Sequence, residues 1–228
     1  MVASNKILTL GICCILLIVT IAGCGVTNSK TEKLESTYLE SSDEKDLVIL
    51  CNNLLNTKQY EKKMQYFSKI IDMEKEEFEV VYESVDVKQQ PRDIYGTEMG
   101  ALDAYCEIFA QYLLAPVMME DYDLYKKIFP DTWRFTEKEI GGATSFYEYM
   151  RDSKLPEEGY QVIISTFQEN FPKDITNAPN DVALWRKVTL NYEGQAFAYL
   201  CSGDEENYNK VLEESYQFDE RCGVKTPK

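Results

Sequence analysis

Apolar residues recur at intervals of three and four along most of the chain after residue 40, and this spacing limits what the chain can fold into. The first such stretch carries Leu47, Leu50, Cys51 and Leu54, and similar stripes recur as far as Phe218. A 3.6-residue period places these side chains on one face of a helix. No pair of alternating, strand-like runs flanks a hairpin turn. The sequence therefore predicts an all-α domain made of helical hairpins.

Turn and cap residues divide this pattern into segments. Ser41 and Glu44 have the spacing of a capping box, which predicts the start of the first domain helix. Proline predicts two helix ends, at Pro116 and Pro130, because it lacks the N–H that continues a helix. Residues 130–143, which include Gly141 and Gly142, are then predicted to form a loop.

The stretch from Leu50 to Ile71, "LCNNLLNTKQYEKKMQYFSKII", resembles a tetratricopeptide-type helical hairpin. Two positions where that family usually has a small residue are occupied here by Lys63 and Ile70. Tyrosines in comparable positions, Tyr60, Tyr122 and Tyr208, are not separated by the fixed period of about 34 residues that such arrays require. A helical bundle and a degenerate repeat-like array therefore both remain open.

The amino terminus has the features of a secretory signal. Lys6 precedes an apolar run from Ile7 to Ala22. That run is shorter than the about 20 residues that a membrane-spanning helix needs. Its end, Ile21-Ala22-Gly23-Cys24, resembles the lipobox of bacterial lipoproteins. The resemblance implies recognition of Ile21, Ala22 and Gly23 by a signal peptidase, cleavage before Cys24, and a lipid on the Cys24 thiol.

This interpretation divides the chain into four parts. Residues 1–23 form the signal peptide, and residues 24–42 form a lipid anchor with a flexible tether, because they are rich in Ser, Thr, Glu and Lys. Residues 43–222 form one helical domain and residues 223–228 a tail. The predicted location is the extracytoplasmic face of a cell membrane, and the membrane contact is the lipid on Cys24.

Charge and composition exclude several function classes. The net charge is −15, and it becomes −16 when Lys6 is removed with the signal peptide. Such a charge opposes binding to nucleic acid. The chain has no histidine, which removes Ser-His-Asp, Cys-His and His-ligated zinc chemistry. We predict no catalytic residue, no metal site and no cofactor.

Four cysteines follow Cys24. Cys51 and Cys106 fall on apolar faces, where they are either buried thiols or a disulfide pair. Cys201 and Cys222 are not expected to form a bridge, because a helix after the turn at Gly203 would carry them about 25 Å apart.

Three aromatic residues, Tyr95, Trp133 and Phe135, lie in predicted loops and are candidates for contact with a ligand or partner. Trp133 is flanked by Asp131 and Arg134, so it could stack on a ligand or partner beside a charge, although the sequence favours a tryptophan that folds back onto a helix. The sequence thus favours a non-catalytic, lipid-anchored domain that binds a protein or peptide partner at the cell envelope. The alternatives are a small-molecule-binding lipoprotein of a transporter and a carboxylate-based cell-wall hydrolase.

Overall fold

The computed structural model describes residues 29–86, 99–138 and 140–224, and within these ranges the chain is all-α with no β-strand. The all-α prediction is confirmed. The helices are, in chain order, α1 (29–41), α2 (Glu44–Leu55), α3 (Tyr60–Ile71), α4 (Lys75–Glu83), α5 (Ala101–Met118), α6 (Tyr122–Lys138), α7 (Ile140–Ser153), α8 (Glu157–Glu169), α9 (Val182–Ser202) and α10 (Glu205–Arg221). A short 3₁₀ turn, Ala178–Asn180, precedes α9.

Aspartate side chains cap three of the helix starts. The side chains of Asp43, Asp181 and Asp204 accept backbone N–H groups at the starts of α2, α9 and α10. Each satisfies one of the four N–H groups that a helix start leaves without an intrahelical partner. The cap of α2 is therefore Asp43, and Ser41 is the last residue of α1. Gly203 adopts φ +80° at the end of α9, as the predicted turn requires.

The buried residues form two large clusters that share α5. The amino-terminal core is built from α2, α3, α4 and the first half of α5, with Leu50, Phe67 and Phe109 among its members. The carboxy-terminal core is built from the second half of α5 with α6 to α9, and Trp133 and Phe167 lie within it. A hydrophobic face on both halves explains why most residues of α5 are buried.

Residues 29–41 form a helix on the domain surface, so the predicted flexible tether is wrong for this part of residues 24–42. Thr31 is fully buried and accepts hydrogen bonds from Asn53 and Gln59. Glu35 forms an ion pair with Lys62 and accepts a hydrogen bond from the hydroxyl of Tyr66. The segment has few apolar residues to bury. It is ordered instead by hydrogen bonds to α2, to α3 and to the loop between them, which its composition does not reveal.

The helices continue through both prolines that were predicted to end them. α5 runs to Met118 past Pro116, and α6 runs to Lys138 past Pro130. The predicted loop at 130–143 is therefore wrong. A proline inside a helix costs about 3 kcal/mol. Packing offsets this cost in α6, because Tyr125, Phe129 and Trp133 form one continuous buried stripe on both sides of Pro130.

None of the four cysteines of the described domain forms a disulfide. Cys51 and Cys106 are buried, as one of the two open interpretations predicted, and Cys201 and Cys222 are partly exposed and unbridged. Burial raises the pKa of the Cys51 thiol well above its ordinary value. A thiol held in its neutral form is a small apolar core residue and a poor nucleophile.

Candidate functional site

Trp133 and Phe135, two of the three predicted contact residues, lie in helix α6 and not in a loop. Tyr95 lies outside the described residues, and so do Ile21, Ala22, Gly23 and Cys24 of the lipobox. Residues two positions apart in a helix, such as 133 and 135, are separated by about 200° around its axis. Trp133 and Phe135 therefore project to opposite sides of α6 and do not form one site.

Trp133 occupies the centre of an aromatic cluster and is only 4 % exposed. Its ring stacks on Phe129 with centroids 5.4 Å apart and planes inclined by 11°. Phe146 and Phe167 pack edge-to-face against it, with ring centroids 5.2 and 4.9 Å from its own. These are the offset and edge-to-face arrangements that aromatic quadrupoles favour. Trp133 is thus mainly a core residue, as the folded-back alternative expected.

Phe135 belongs to the other core. Its ring stacks on Phe109 at 3.9 Å and 19°, and Tyr105 meets it edge-on at 5.2 Å. Since α6 contributes Trp133 to one core and Phe135 to the other, it joins the two halves of the domain alongside α5. Phe135 thus has a packing role here.

The outer edge of Trp133 contributes to a cleft of about 140 Å³ between α6, the end of α8 and α9. The residues that line the cleft are Phe129, Pro130, Trp133, Arg134, Asn170, Lys187 and Asn191. Two of them are cations, and the two aromatic residues form an apolar floor. A carboxylate or another small anion is the group that this combination suits, because guanidinium and ammonium groups donate charge-assisted hydrogen bonds to it.

Arg134 and Lys187 reach the cleft from different helices. The Arg134 side chain is 71 % exposed and lies 3.7 Å from Asp131, one turn earlier on α6. An exposed pair at this distance is worth about 1 kcal/mol or less, so Arg134 can turn towards an incoming anion at little cost. Lys187 belongs to α9, so the two cations that line the cleft come from two different helices.

Buried amides hold the walls of the cleft in place. Asn191 donates its side-chain N–H to the carbonyl oxygen of Phe167 at 2.8 Å, and Gln195 donates to Asn191 at 2.8 Å. The first bond ties α9 to α8, and the second holds the Asn191 side chain from one turn later on α9. Asn170 donates to the carbonyl of Thr166 at 2.8 Å, at the carboxyl end of α8. The cleft is thus fixed before any ligand arrives, which lowers the entropic cost of binding.

A second depression, of about 560 Å³, lies along α9 and α10. It is shallow and is lined by Tyr192, Glu214, Gln217, Glu220 and Arg221. Although it is larger, its two carboxylates outnumber its one cation and it has no buried floor. We regard the cleft at Trp133 as the candidate site because it combines buried aromatic rings with two cations.

Sequence reasoning missed a buried lysine at the junction of the two cores. Lys63 is 1 % exposed, and its ammonium donates hydrogen bonds to the side-chain oxygen of Gln111 and to the carbonyl of Leu55. The rings of Tyr60 and Tyr149 lie 5.7 and 5.8 Å from it. The signal was present in the sequence, since a lysine stands where the tetratricopeptide-type pattern has a small, buried residue.

The surroundings of Lys63 alter its ionisation. Burial lowers its pKa to about 8, and the nearby carboxylate of Glu107 only partly opposes this. Burial also raises the pKa of Glu107, against the opposing effects of Gln111 and Lys63. Because Lys63 is enclosed, we assign it to the junction between the cores and not to a ligand site.

Within the described ranges, no group of three or more Cys, Asp and Glu side chains is placed to hold a metal ion. In the same part of the chain, none of the helices has both the length and the apolar character needed to cross a bilayer.

Comparison of the chain with models of protein families, with curated proteins and with solved structures gave no significant match in any of the three.

Proposed function

We propose that the protein is a lipoprotein, anchored through Cys24 on the extracytoplasmic face of a membrane, whose helical domain binds a protein or peptide partner without catalysing a reaction. The observation that carries the binding half of the proposal is the cleft at Trp133. It places Arg134 and Lys187 over an aromatic floor in a chain whose net charge is −15. The lipobox at residues 21–24 supports the anchoring half.

The chemistry of the cleft supports an anionic occupant. In a strongly acidic domain, most of the surface repels carboxylates, and a preformed site with two cations is a local exception. An aspartate or glutamate side chain, or the carboxyl terminus of a peptide, would lie between Arg134 and Lys187 and contact the edge of Trp133.

The small size of the cleft supports a partner of which only one side chain or chain end enters the cleft. Pockets that enclose a whole small ligand measure about 300–1,000 Å³, whereas this cleft measures about 140 Å³. It accommodates one side chain or one chain end, with the remainder of the partner on the surrounding surface. We therefore place a protein or peptide before a free solute as the partner.

The binding half is tested by charge reversal at the cleft. Lipidated protein is cross-linked in membranes and then purified, and wild type is compared with the Arg134→Glu/Lys187→Glu double variant. The matched control is Lys154→Glu/Lys210→Glu, which makes the same charge change at exposed positions outside the cleft. We expect one cross-linked partner with wild type and control, and at least a tenfold loss with the cleft variant.

Equal capture by all three proteins, or repeated failure to find a specific partner, would contradict the proposed role of the cleft. A thermal-shift screen with single sugars and amino acids tests the solute-binding alternative. A hit that the cleft variant abolishes would replace the protein partner with a solute.

The anchoring half is tested by Cys24→Ser. We expect the wild type to fractionate with membranes and the variant to accumulate as unlipidated protein. If the variant remains in the membrane fraction at the mature size, the lipoprotein assignment is wrong.

A further inference from the structure

Helix α1 packs alongside α3 in the same direction. Thr31 contacts Gln59, Glu35 contacts Lys62, and Tyr38 lies 5.9 Å from the ammonium of Lys69. Later residues of α1 thus meet later residues of α3, with a nearly constant offset, which is the pattern of parallel neighbours. The amino-terminal end of α1 therefore lies beside the α2–α3 loop, at residues 56–59, and the first turn of α3. We call this surface the anchor end.

The anchor end lies close to the lipidated cysteine. Residue 29, where α1 begins, is only five positions after Cys24. Five residues span at most about 18 Å when fully extended. A flexible tether of residues 24–42 would have allowed about 65 Å. Because α1 is fixed to α3, the anchor end of the domain is held within this short reach of the lipid surface.

The charges of the anchor end differ from those of the rest of the domain. Lys30, Lys33 and Lys58 are exposed there, with two exposed carboxylates, Glu32 and Glu61. The remaining acidic group, Glu35, is paired with Lys62. The starts of α1 and α3, which carry partial positive charge, lie here together with the end of α2, which carries partial negative charge.

The opposite end of the same helices is strongly acidic. It consists of the α1–α2 junction and the turn between α3 and α4. Its exposed charged residues are Glu40, Asp43, Glu44, Lys45, Lys69, Asp72, Glu74, Glu76 and Glu77. Seven of these nine groups are carboxylates. The amino-terminal half thus has a charge gradient along α1 and α3, from lysines near the anchor to carboxylates away from it.

We propose that the domain stands on the membrane with its anchor end down, with Lys30, Lys33 and Lys58 against the phosphates of anionic lipids. Lysines within about 10 Å of an anionic surface are attracted to it, and an anchor of at most about 18 Å allows them to come within that range. The acidic end then points away, where the same surface repels it. This inference rests on the lipid anchor of the proposed function and adds the orientation of the domain.

The orientation is tested by lysine footprinting of the lipidated protein in vesicles. An amine-reactive reagent is applied, and the modification of each lysine is read by mass spectrometry. Vesicles of phosphatidylglycerol with phosphatidylcholine are compared with vesicles of phosphatidylcholine alone, and soluble Cys24→Ser protein serves as the reference. In anionic vesicles, we expect at least a threefold loss of reactivity at Lys30, Lys33 and Lys58. Lys45 and Lys69, equally exposed at the other end, retain the reactivity of the soluble protein.

A double variant distinguishes the contribution of the lysine charges from that of the short anchor. Lys30→Gln/Lys33→Gln leaves Lys58 as the reporter, and we expect its protection in anionic vesicles to fall by at least half. The control, Lys45→Gln/Lys69→Gln, removes two exposed lysines from the opposite end and leaves the protection of Lys58 unchanged.

The outcomes distinguish this inference from the anchor itself. Protein that does not float with vesicles overturns the lipoprotein assignment and, with it, the orientation. Protein that floats but shows uniform protection, or protection at Lys45 and Lys69, overturns the orientation alone. Equal protection of Lys58 in anionic and phosphatidylcholine vesicles overturns the role of the lysines.

Discussion

The centre of the carboxy-terminal core and the junction at Lys63 are both closed to solvent, but by different means. Around Trp133, closure comes from apolar packing that includes three aromatic rings, Phe129, Phe146 and Phe167, with centroids within 5.4 Å of that of Trp133. At the junction, closure comes from a cation whose ammonium is shared between Gln111 and the carbonyl of Leu55. The stability of the first region depends on how well its side chains fill space, and that of the second depends on the protonation of Lys63.

This difference explains why the cleft lies beside the aromatic region. A close-packed cluster of rings cannot move without losing contacts on several sides, so it provides a fixed floor for Arg134 and Lys187. The junction, in contrast, joins α3 to α5 and α7 through polar contacts that change with protonation. The two regions are therefore expected to respond to different perturbations, which substitutions can test.

The largest effect is expected from Trp133→Ala. Removal of a buried aromatic side chain costs about 3–5 kcal/mol, measured as the free energy of unfolding in urea at pH 7. Phe135→Ala is the matched variant on the same helix. Since Phe135 is only half-buried and its ring meets just Phe109 and Tyr105, its loss should be clearly smaller. An equal or larger loss for Phe135→Ala would show that the aromatic cluster is not the more tightly packed region.

The next effect concerns pH at the junction. The pKa of Lys63 is about 8 in the fold, against 10.5 for the unperturbed side chain, so between these values the unfolded chain binds the additional proton. The unfolding free energy contributed by Lys63 therefore rises as pH increases through that window. The rise is at most about 3 kcal/mol, at 1.36 kcal/mol per pKa unit.

Lys63→Met removes this contribution while it retains a side chain of similar length. We expect the unfolding free energy of wild type, relative to the variant, to increase between pH 7.5 and pH 10. Lys126→Met is the control, because its ammonium is partly exposed and pairs with Glu169 at 3.2 Å. A wild-type curve parallel to that of Lys63→Met would mean that Lys63 is not buried with a lowered pKa.

A third effect returns to volume. A Cβ on Gly194 would lie 2.3 Å from the ring of Phe167, which is enclosed by Phe129 and Trp133. Gly194→Ala should therefore cost about 1–3 kcal/mol through overpacking, visible as a lower melting temperature. In Gly159→Ala, the new methyl has one close contact, a methyl of Val117 at 2.7 Å, and its other neighbours lie at an ordinary 3.7 Å, so the cost should be smaller. The reverse order would contradict the tight approach of α8 and α9.

The sequence predicted the fold class because the helical spacing of apolar residues survives in nearly every element. It failed where long-range contacts override a local signal. Pro130 predicts a helix end, but the helix continues because the buried side chains from Tyr125 to Trp133 pack on both sides of the proline. Residues 29–41 read as a tether because their partners, Asn53 and Lys62, lie more than 20 positions away.

The candidate site was predictable only in part. Trp133 with Arg134 was found from local chemistry. Lys187 and Asn191 were missed because they reach the cleft from another helix, and no local pattern marks them. The polar role of Lys63 was missed for a related reason, since Gln111 and Tyr149, which surround it, belong to α5 and α7.

The smallest predicted effect tests whether α1 belongs to the amino-terminal region. Burial raises the pKa of Glu35, but the hydrogen bonds from Lys62 and Tyr66 outweigh it, so the pKa in the fold lies below the ordinary value. This stabilisation is present above the unfolded pKa near 4.5 and is lost as pH falls through the folded pKa. Glu35→Gln removes it at neutral pH and should cost about 1 kcal/mol or less, concentrated in α1.

Hydrogen exchange is the suitable measurement, because a weakly held terminal helix opens without global unfolding. We expect amides of residues 32–41 to exchange about fivefold faster in Glu35→Gln at pH 7, with no change in α7. Glu40→Gln, an exposed position on the same helix, should leave the rate unchanged. If Glu35→Gln has no effect on these amides, α1 is not held by α3, and the short distance between the lipid and the domain no longer follows. The comparison of the two regions would stand, but the orientation on the membrane would lose its geometric basis.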